Sequence, residues 1–448
     1  MSGTAAGGGE EEGEAKAGGG APQAAPSTGT TAPDENLIGR WRKARPQPTP
    51  SAGTEMQDAR VEQLEAIGYL PGTQPAPDAT GITVYEAEKA QPGLNLYTSG
   101  HGPVAILMDM DGNVVYRWEQ AFADIWPDRH KRMKQPGSKS FRRAKVLPNG
   151  DLIAVFGGAG IIKLDKDSNV IWANPMLAHH EADIMPNGDV YTLSRAARMI
   201  PRLHQTKPIL EDFVSVIGPD GQEKRRVSIL ECLENSPYKE LVTNRPKRRG
   251  DIFHTNTLKL LDGRIAGTAP AFQKGRILTS LLVLDVIAVI DIDQKTTHWV
   301  HQGDFRRQHD PHILDNGNLL LFDNRGARPH SRVVELDPAT WEPVWTYQGS
   351  TTRPFYTHSC GAAHRLPNGN TLIVESDNGR AFEVTRDKHI VWEYRSPHRA
   401  GDNNELVATL FDLERIQPDY FTGDWLPNFP QDEAEDSTSK QKTRTPAP

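Results

Sequence analysis

The sequence predicts an all-β fold, a six-bladed β-propeller whose blades each carry about four antiparallel strands. Three observations predict it. Turns of the Pro-Asn-Gly or Asp/Asn-Gly kind recur between apolar strand signals, at Pro148-Asn149-Gly150, Pro186-Asn187-Gly188, Asp262-Gly263, Asn316-Gly317 and Pro367-Asn368-Gly369. The strands that close the repeats end in Trp118, Trp172, Trp299, Trp345 and Trp392. The spacings from Trp299 to Trp345 and from Trp345 to Trp392 are 46 and 47 residues, the length of a four-stranded blade.

Along the chain, residues 1–58 are Gly/Ala-rich, then acidic, then rich in Pro, Ser and Thr. Such a segment buries too little apolar surface to offset the entropy of ordering it, so disorder is expected. The basic patch at 40–45, which holds Trp41, reads as a solvated linker. Val61, Leu64 and Ile67 recur at three-residue spacing before Gly68, so residues 59–80 are expected to hold one short helix and a linker. The propeller is expected over 81–428. Its unit is most complete at 305–326, FRRQHDPHILDNGNLLLFDNRG, where an apolar strand, a tight turn and a second strand follow one another. The turn needs positive φ, which Asn and Gly supply cheaply. Residues 218–227 form a degenerate copy without Trp and bring the count of repeats to six. Residues 406–413 are expected to supply the strand that closes the ring onto the N-terminal blade. Residues 429–448 lose all periodicity and read as a disordered polar tail.

Composition excludes some classes. The net charge of −7 argues against a general nucleic-acid surface. The most apolar stretch, 277–290, is shorter than the roughly 18–20 residues that span a bilayer and reads as a buried strand pair. No basic segment followed by an apolar one marks a signal peptide. Cys232 and Cys360 lack a CxxC spacing and leave open whether they pair.

The chemistry-bearing residues are histidines. In a propeller the first strand of every blade lines the central channel, so equivalent positions in different blades converge at one mouth. His180 and His309 each lie eight residues before their turn glycines, and each is followed by an acid, Glu181 or Asp310. His254 lies nine residues before Gly263, with Asn256 two residues on, and His179 adjoins His180. A lone strand histidine is commonly a satisfied core residue. A repeat kept only for packing would favour apolar residues at all three places, so the recurrence points to a site. Neutral imidazole is a nucleophile near pH 7, while imidazolium, Asn amides and Arg bind anions. Together they suit group transfer through histidine. Three histidines with carboxylates nearby also suit a metal such as zinc, although no HxH or HExxH spacing accompanies them. Glu181 and Asp310 are either partners that fix imidazole tautomers or simple turn acids. The repeated Trp residues read as packing between blades.

From about residue 81 to 421 the chain resembles the bacterial aryl sulfate sulfotransferases, in HHEADIMPNGDVYTL, DIFHTNTLKLLDGR, AVIDIDQKTTHWV, QHDPHILDNGNLLLFDNRG and RLPNGNTLIVESDNGRAFEVT. The ordered set HH, DxxHxN and QHD before NGN carries the likeness. It implies a six-bladed propeller that moves a sulfuryl group from a phenolic sulfate ester to a phenol, by a ping-pong route independent of phosphoadenosine-phosphosulfate and with no cofactor. The resemblance implies His309 as nucleophile, forming a sulfohistidine. It implies His254 and Asn256 as ligands of the sulfuryl oxygens, with His254 also protonating the leaving oxygen. His180, or His179 in the other register, completes the pocket. Asp310, Arg276 and Arg325 are expected along the substrate-binding surface. The family carries Arg in a Ser-x-Arg phrase where this chain has Leu282, so either another residue such as Arg276 or Arg325 supplies the guanidinium, or the substrate is not a typical aryl sulfate, or activity is lost. The resemblance also implies an exported, periplasmic or extracytoplasmic protein, for which the Gly/Pro-rich head would suit a tether to a membrane anchor outside this sequence. The competing readings are a non-catalytic ligand-binding or scaffold propeller and a metal-assisted hydrolase.

Overall fold

Short apolar runs broken by turn residues give each strand a close antiparallel neighbour. In the computed structural model, which describes residues 41–43, 78–132, 139–244, 250–324, 330–400 and 404–426, they form six blades in a ring. From channel to rim, the first blade is Leu410–Ile416, Leu94–Ser99, Val104–Met108 and Val114–Glu119. The second is Phe141–Val146, Leu152–Phe156, Gly160–Leu164 and Val170–Asn174. The third is Ala178–Ile184, Val190–Arg198, Ile209–Ile217 and Glu223–Ser228, with Gly250–Asp251 added in parallel. The fourth is Thr255–Leu260, Ile277–Leu281, Val286–Asp291 and Thr296–His301. The fifth is His309–Ile313, Leu319–Asp323, Arg332–Leu336 and Pro343–Gln348. The sixth is Ala362–Arg365, Thr371–Glu375, Arg380–Val384, Ile390–Arg395 and, at its rim, Gly81–Tyr85.

The ring closes twice. The late strand Leu410–Ile416 is the innermost of the first blade, a few residues beyond where the sequence suggests, and the early strand Gly81–Tyr85 is the outermost of the sixth. Outside the blades, Trp41–Lys43 pairs with Leu406–Ala408. The rest of 1–58, the helix expected around 61–67, Arg325 and the polar tail lie outside the described residues. The degenerate copy at 218–227 is the rim hairpin of the third blade, and the apolar stretch 277–290 is an antiparallel, buried strand pair. Among the described residues no helix is long and apolar enough to cross a membrane. Cys232 and Cys360 are both buried and are not joined in a disulfide.

Six apolar clusters form the core, one in each gap between neighbouring blades. The recurring Trp residues sit in those gaps. Trp118, Trp345 and Trp392 each donate an indole N–H, at 2.9 Å, to a carbonyl of the next blade, those of Gly150, Arg386 and Met110. Trp172 instead lies flat on Gly221 of the third blade, where a Cβ would stand 2.7 Å from the ring. The turns differ from expectation in one respect. Only glycine takes the left-handed conformation, at φ 84–87° in Gly150, Gly188, Gly317 and Gly369. The Asn before each of these four instead accepts a backbone N–H from two residues on, at 3.0–3.2 Å, an Asx cap on a type I turn that glycine completes.

Candidate active site

The innermost strands touch one another all the way round the ring, and five of them are bulged near the same end. The residues that the register skips are Phe411 in the first blade, Arg142 in the second, His180 and Glu181 in the third, Asn256 in the fourth, and Asp310 and Pro311 in the fifth. A bulge re-aims side chains that a regular ladder would alternate. His180 and Asp310, in these bulges, have φ of 60° and 51°, and His254, just before the fourth blade's first strand, has φ of 47°. A non-glycine residue in that region costs on the order of 1–3 kcal/mol, a cost that clusters at functional sites.

The bulges bring the three predicted histidines together. The rings of His180 and His254 meet edge to face at 5.0 Å between centroids. His309 is close enough to both for their charges to interact. Hydrogen-bond partners assign the tautomers. His309 Nδ1 lies 2.7 Å from Asn324 Oδ1 and 2.9 Å from the Arg307 carbonyl. Asn324 cannot turn its amide, because Nδ2 is spent on the carbonyls of Thr357 and Cys360 at 3.1 and 2.8 Å. Nδ1 therefore carries the proton and Nε2 holds the lone pair. His254 is held by Asp251, through its backbone N–H at 2.7 Å and its Nδ1 at 2.6 Å, so Nε2 is again the unheld atom. His179 and His180 differ in placement. His179 is the buried neighbour, with Nε2 3.5 Å from Asp212 and Nδ1 2.8 Å from His180 Nδ1. The two Nδ1 atoms share one hydrogen bond, in which one ring donates and the other accepts, and His179 Nε2 has no hydrogen-bond partner among the described residues.

Burial, reinforced by Arg142 and His254, holds His180 well below the ordinary imidazole pKa. Burial likewise lowers His309 to about 3, against the opposing pull of its Asn324 hydrogen bond and with help from Arg142. Its nucleophilic form is thus already present at neutral pH. Burial pushes the Asp251 carboxyl up, but its bonds to His254 prevail and leave it below the usual carboxylate range.

The remaining predicted residues divide. Asn256 is at the mouth, where its Nδ2 donates to the carbonyl of Gln308 at 2.9 Å and so braces the strand that carries His309. Asp310 and Glu181 neither face the mouth nor fix the tautomers of His309 and His180. They are buried along the channel in an ion network with Lys259, 3.4 Å from each, and Arg143, 3.1 Å from Glu181. Arg276 is not brought to the cluster. It precedes the opposite end of the strand Ile277–Leu281, which pairs with Leu260, and bonds Asp291 at 3.4 Å. Leu282 begins the half-buried turn after that strand, and the next residue, Val283, donates to the carbonyl of Phe253 beside His254. The residues that sequence reasoning missed are Asn324, Asp251, Asp212 and Arg142. Two of them carried a sequence signal, Asp251 as the first residue of DIFH and Arg142 by lying eight residues before Gly150, as His180 and His309 do before their glycines. Among the described residues no group of three His, Cys, Asp or Glu side chains is disposed to hold a metal ion.

The sequence pattern of the family described as arylsulfotransferase (ASST) matches residues 143–397, more than half of the chain. No curated protein matches it. Similar solved structures include a protein of unknown function from Bacteroides caccae, 12% identical over 72% of this chain and 98% of that one, with a TM-score of 0.47. The β-propeller domain of Cps50 (Swd1) from Myceliophteria thermophila is 11% identical over 75% of this chain and 98% of its own, TM-score 0.42. BamB from Moraxella catarrhalis is 11% identical over 75% and 93%, TM-score 0.32.

Proposed function

This chain belongs to the arylsulfotransferase family, and from that premise we propose that it moves a sulfuryl group from an aryl sulfate ester to a phenol through a sulfohistidine on His309. The observation that carries the reading is the Asn324 clamp, which commits Nδ1 of His309 as donor and leaves Nε2 as a lone pair at the channel mouth. In the first half-reaction Nε2 forms the N–S bond as the S–O bond to the aryl group breaks, and its electron pair leaves with the phenolate oxygen. His254, oriented through Nδ1 by Asp251, enters this step as the imidazolium and gives its Nε2 proton to that oxygen, help worth about 10²–10⁴-fold for a poor leaving group. In the second half-reaction the acceptor phenol gives its proton back to His254 Nε2. Its oxygen then takes the sulfur, and the N–S electrons return to His309. Asn256 has one amide N–H committed to the Gln308 carbonyl, which keeps its second N–H available to a sulfuryl oxygen.

The test is release of 4-nitrophenol from 4-nitrophenyl sulfate, with and without added phenol, by wild type and His309→Asn. Phenol-dependent release lost in the variant, with a mass gain of one sulfuryl group on His309 when phenol is withheld, is the expected outcome. Equal rates in the two proteins would reject His309 as nucleophile, and release indifferent to phenol would indicate hydrolysis instead of transfer.

A further inference from the structure

A sulfate monoester is an anion, and sulfuryl transfer spreads its charge over the oxygens on sulfur. A water-poor site needs a fixed positive group to hold that charge. Burial keeps His180 and His309 neutral, so neither supplies one at rest, and the charge of a protonated His254 is paired with the Asp251 carboxylate. The cations near the channel are mostly engaged with protein groups. Arg143 pairs with Glu181 and Asp412, Lys259 with Glu181 and Asp310, and Arg307 donates to His358 at 3.0 Å.

Arg142 differs in position. It is the residue that the bulge in Phe141–Val146 inserts into the mouth, at the same level as His180 and Asn256 in their blades. Phe411, inserted by the bulge of the first blade, lies under its guanidinium at 5.0 Å from the ring centroid. Stacking on an aromatic face fixes the plane in which a guanidinium presents its N–H groups. The order of contacts among innermost strands puts the second blade three places from the fifth in either direction. Arg142 therefore stands across the mouth from His309, with His180 beside it. A tetrahedral oxyanion whose sulfur faced His309 Nε2 would offer its oxygens to that guanidinium.

We propose that Arg142, stacked on Phe411, binds the oxygens of the transferring sulfuryl group, so that the site selects oxyanion esters by a guanidinium supplied from the second blade. This rests on the sulfuryl-transfer reading of the site, but it can be tested apart from it. Inorganic sulfate is the probe for binding, followed by calorimetric titration of wild type, Arg142→Gln, Arg142→Lys and Phe411→Leu. Turnover of 4-nitrophenyl sulfate is measured in parallel. Arg142→Gln is expected to weaken sulfate binding at least tenfold and to lower kcat/KM by about 10²–10³-fold, the loss typical of one oxyanion donor. Arg142→Lys should recover part of both, since it keeps the charge and loses the fork. Phe411→Leu should raise KM a few-fold with little change in kcat. Melting curves establish that each variant is folded. If only Arg142→Gln fails to fold, the Lys and Leu variants decide. Unchanged sulfate affinity and kcat/KM in a folded Arg142→Gln would overturn the proposal and leave His309 catalysis standing. Sulfate binding that depends on Arg142 in a protein that turns nothing over would support it and overturn sulfuryl transfer.

Discussion

Asn324 decides the chemistry of His309 without facing substrate. Its Oδ1 accepts from Nδ1 at 2.7 Å, and its amide hydrogens satisfy two buried carbonyls that would otherwise cost about 1–3 kcal/mol each. Asn324→Asp exchanges a neutral acceptor for a carboxylate, which stabilises imidazolium. The His309 pKa, now about 3, then rises, and the lone-pair form is lost at higher pH than in wild type. We expect kcat/KM for 4-nitrophenyl sulfate to stay level in wild type as pH falls from 8 to 5, and to fall with pH in Asn324→Asp, with activity returning on the alkaline side. Identical profiles would reject the clamp. The three mouth histidines were legible because an offset of eight or nine residues from a turn glycine survives in sequence. Asn324 was not, although it stands in the phrase DNRG, because its role depends on a bulge that turns His309 toward a residue 15 positions away. Arg142 was marked as the histidines were: it lies eight residues before Gly150, the offset of His180 and His309 from their turn glycines, whereas nothing in FRRAKV marks the descent of Arg143 into the ion network of the channel.

At the scale of the element, strands and turns follow from local residue types, and the blade interfaces follow from the Trp in the fourth strand of five of the six blades. The interfaces are not equivalent. Trp392 is fully buried and donates to the Met110 carbonyl, a bond from the last blade to the first. The indole N–H of Trp172 is buried with no hydrogen-bond partner among the described residues. Trp392→Phe strands a buried carbonyl and should cost about 1–3 kcal/mol beyond the loss of ring area, whereas Trp172→Phe removes only an unsatisfied donor and should cost clearly less. Urea unfolding of the two variants measures the gap, and equal losses would mean that ring area alone holds the blades. The tryptophans were readable as a class from their spacing. Which of them bonds was not, because the acceptor is a carbonyl in another blade. The innermost strands show the same division. Their existence was plain, while the bulges that make them functional leave no mark in hydrophobic periodicity, since one skipped residue only shifts the alternation.

For the whole molecule, the channel below the mouth is filled by charge. Arg143, Lys145 and Lys259 meet Glu181, Asp310, Asp412 and Glu414, with His364 Nε2 3.1 Å from Asp412 Oδ1. Every blade contributes to this plug, so its titration acts on the ring as a unit. Burial lowers the His364 pKa to about 4, against the pull of Asp310, and lowers His309 to about 3. Burial also lowers His180 and His312. In the unfolded chain these imidazoles take protons near pH 6.5. Between about 6.5 and 4 the unfolded state therefore binds more protons than the folded one, and stability rises with pH. Below that window Glu414 continues the trend. Burial pushes its carboxyl up, but the charges of Lys145 and His364 prevail and bring it to about 2, so its stabilising contribution, present above the ordinary carboxylate pKa, is lost as pH falls toward 2. The expected profile of the urea midpoint is level above pH 7, falling from about 6.5 to 4 and steeper beyond. His364→Gln retains an amide donor for Asp412 without the titrating ring and should flatten the upper part of the fall. A midpoint constant from pH 8 to 4.5 in wild type, or the same slope in His364→Gln, would mean that these histidines are protonated in the folded ring. The channel would then be a cationic conduit to the mouth and not a neutral floor beneath it.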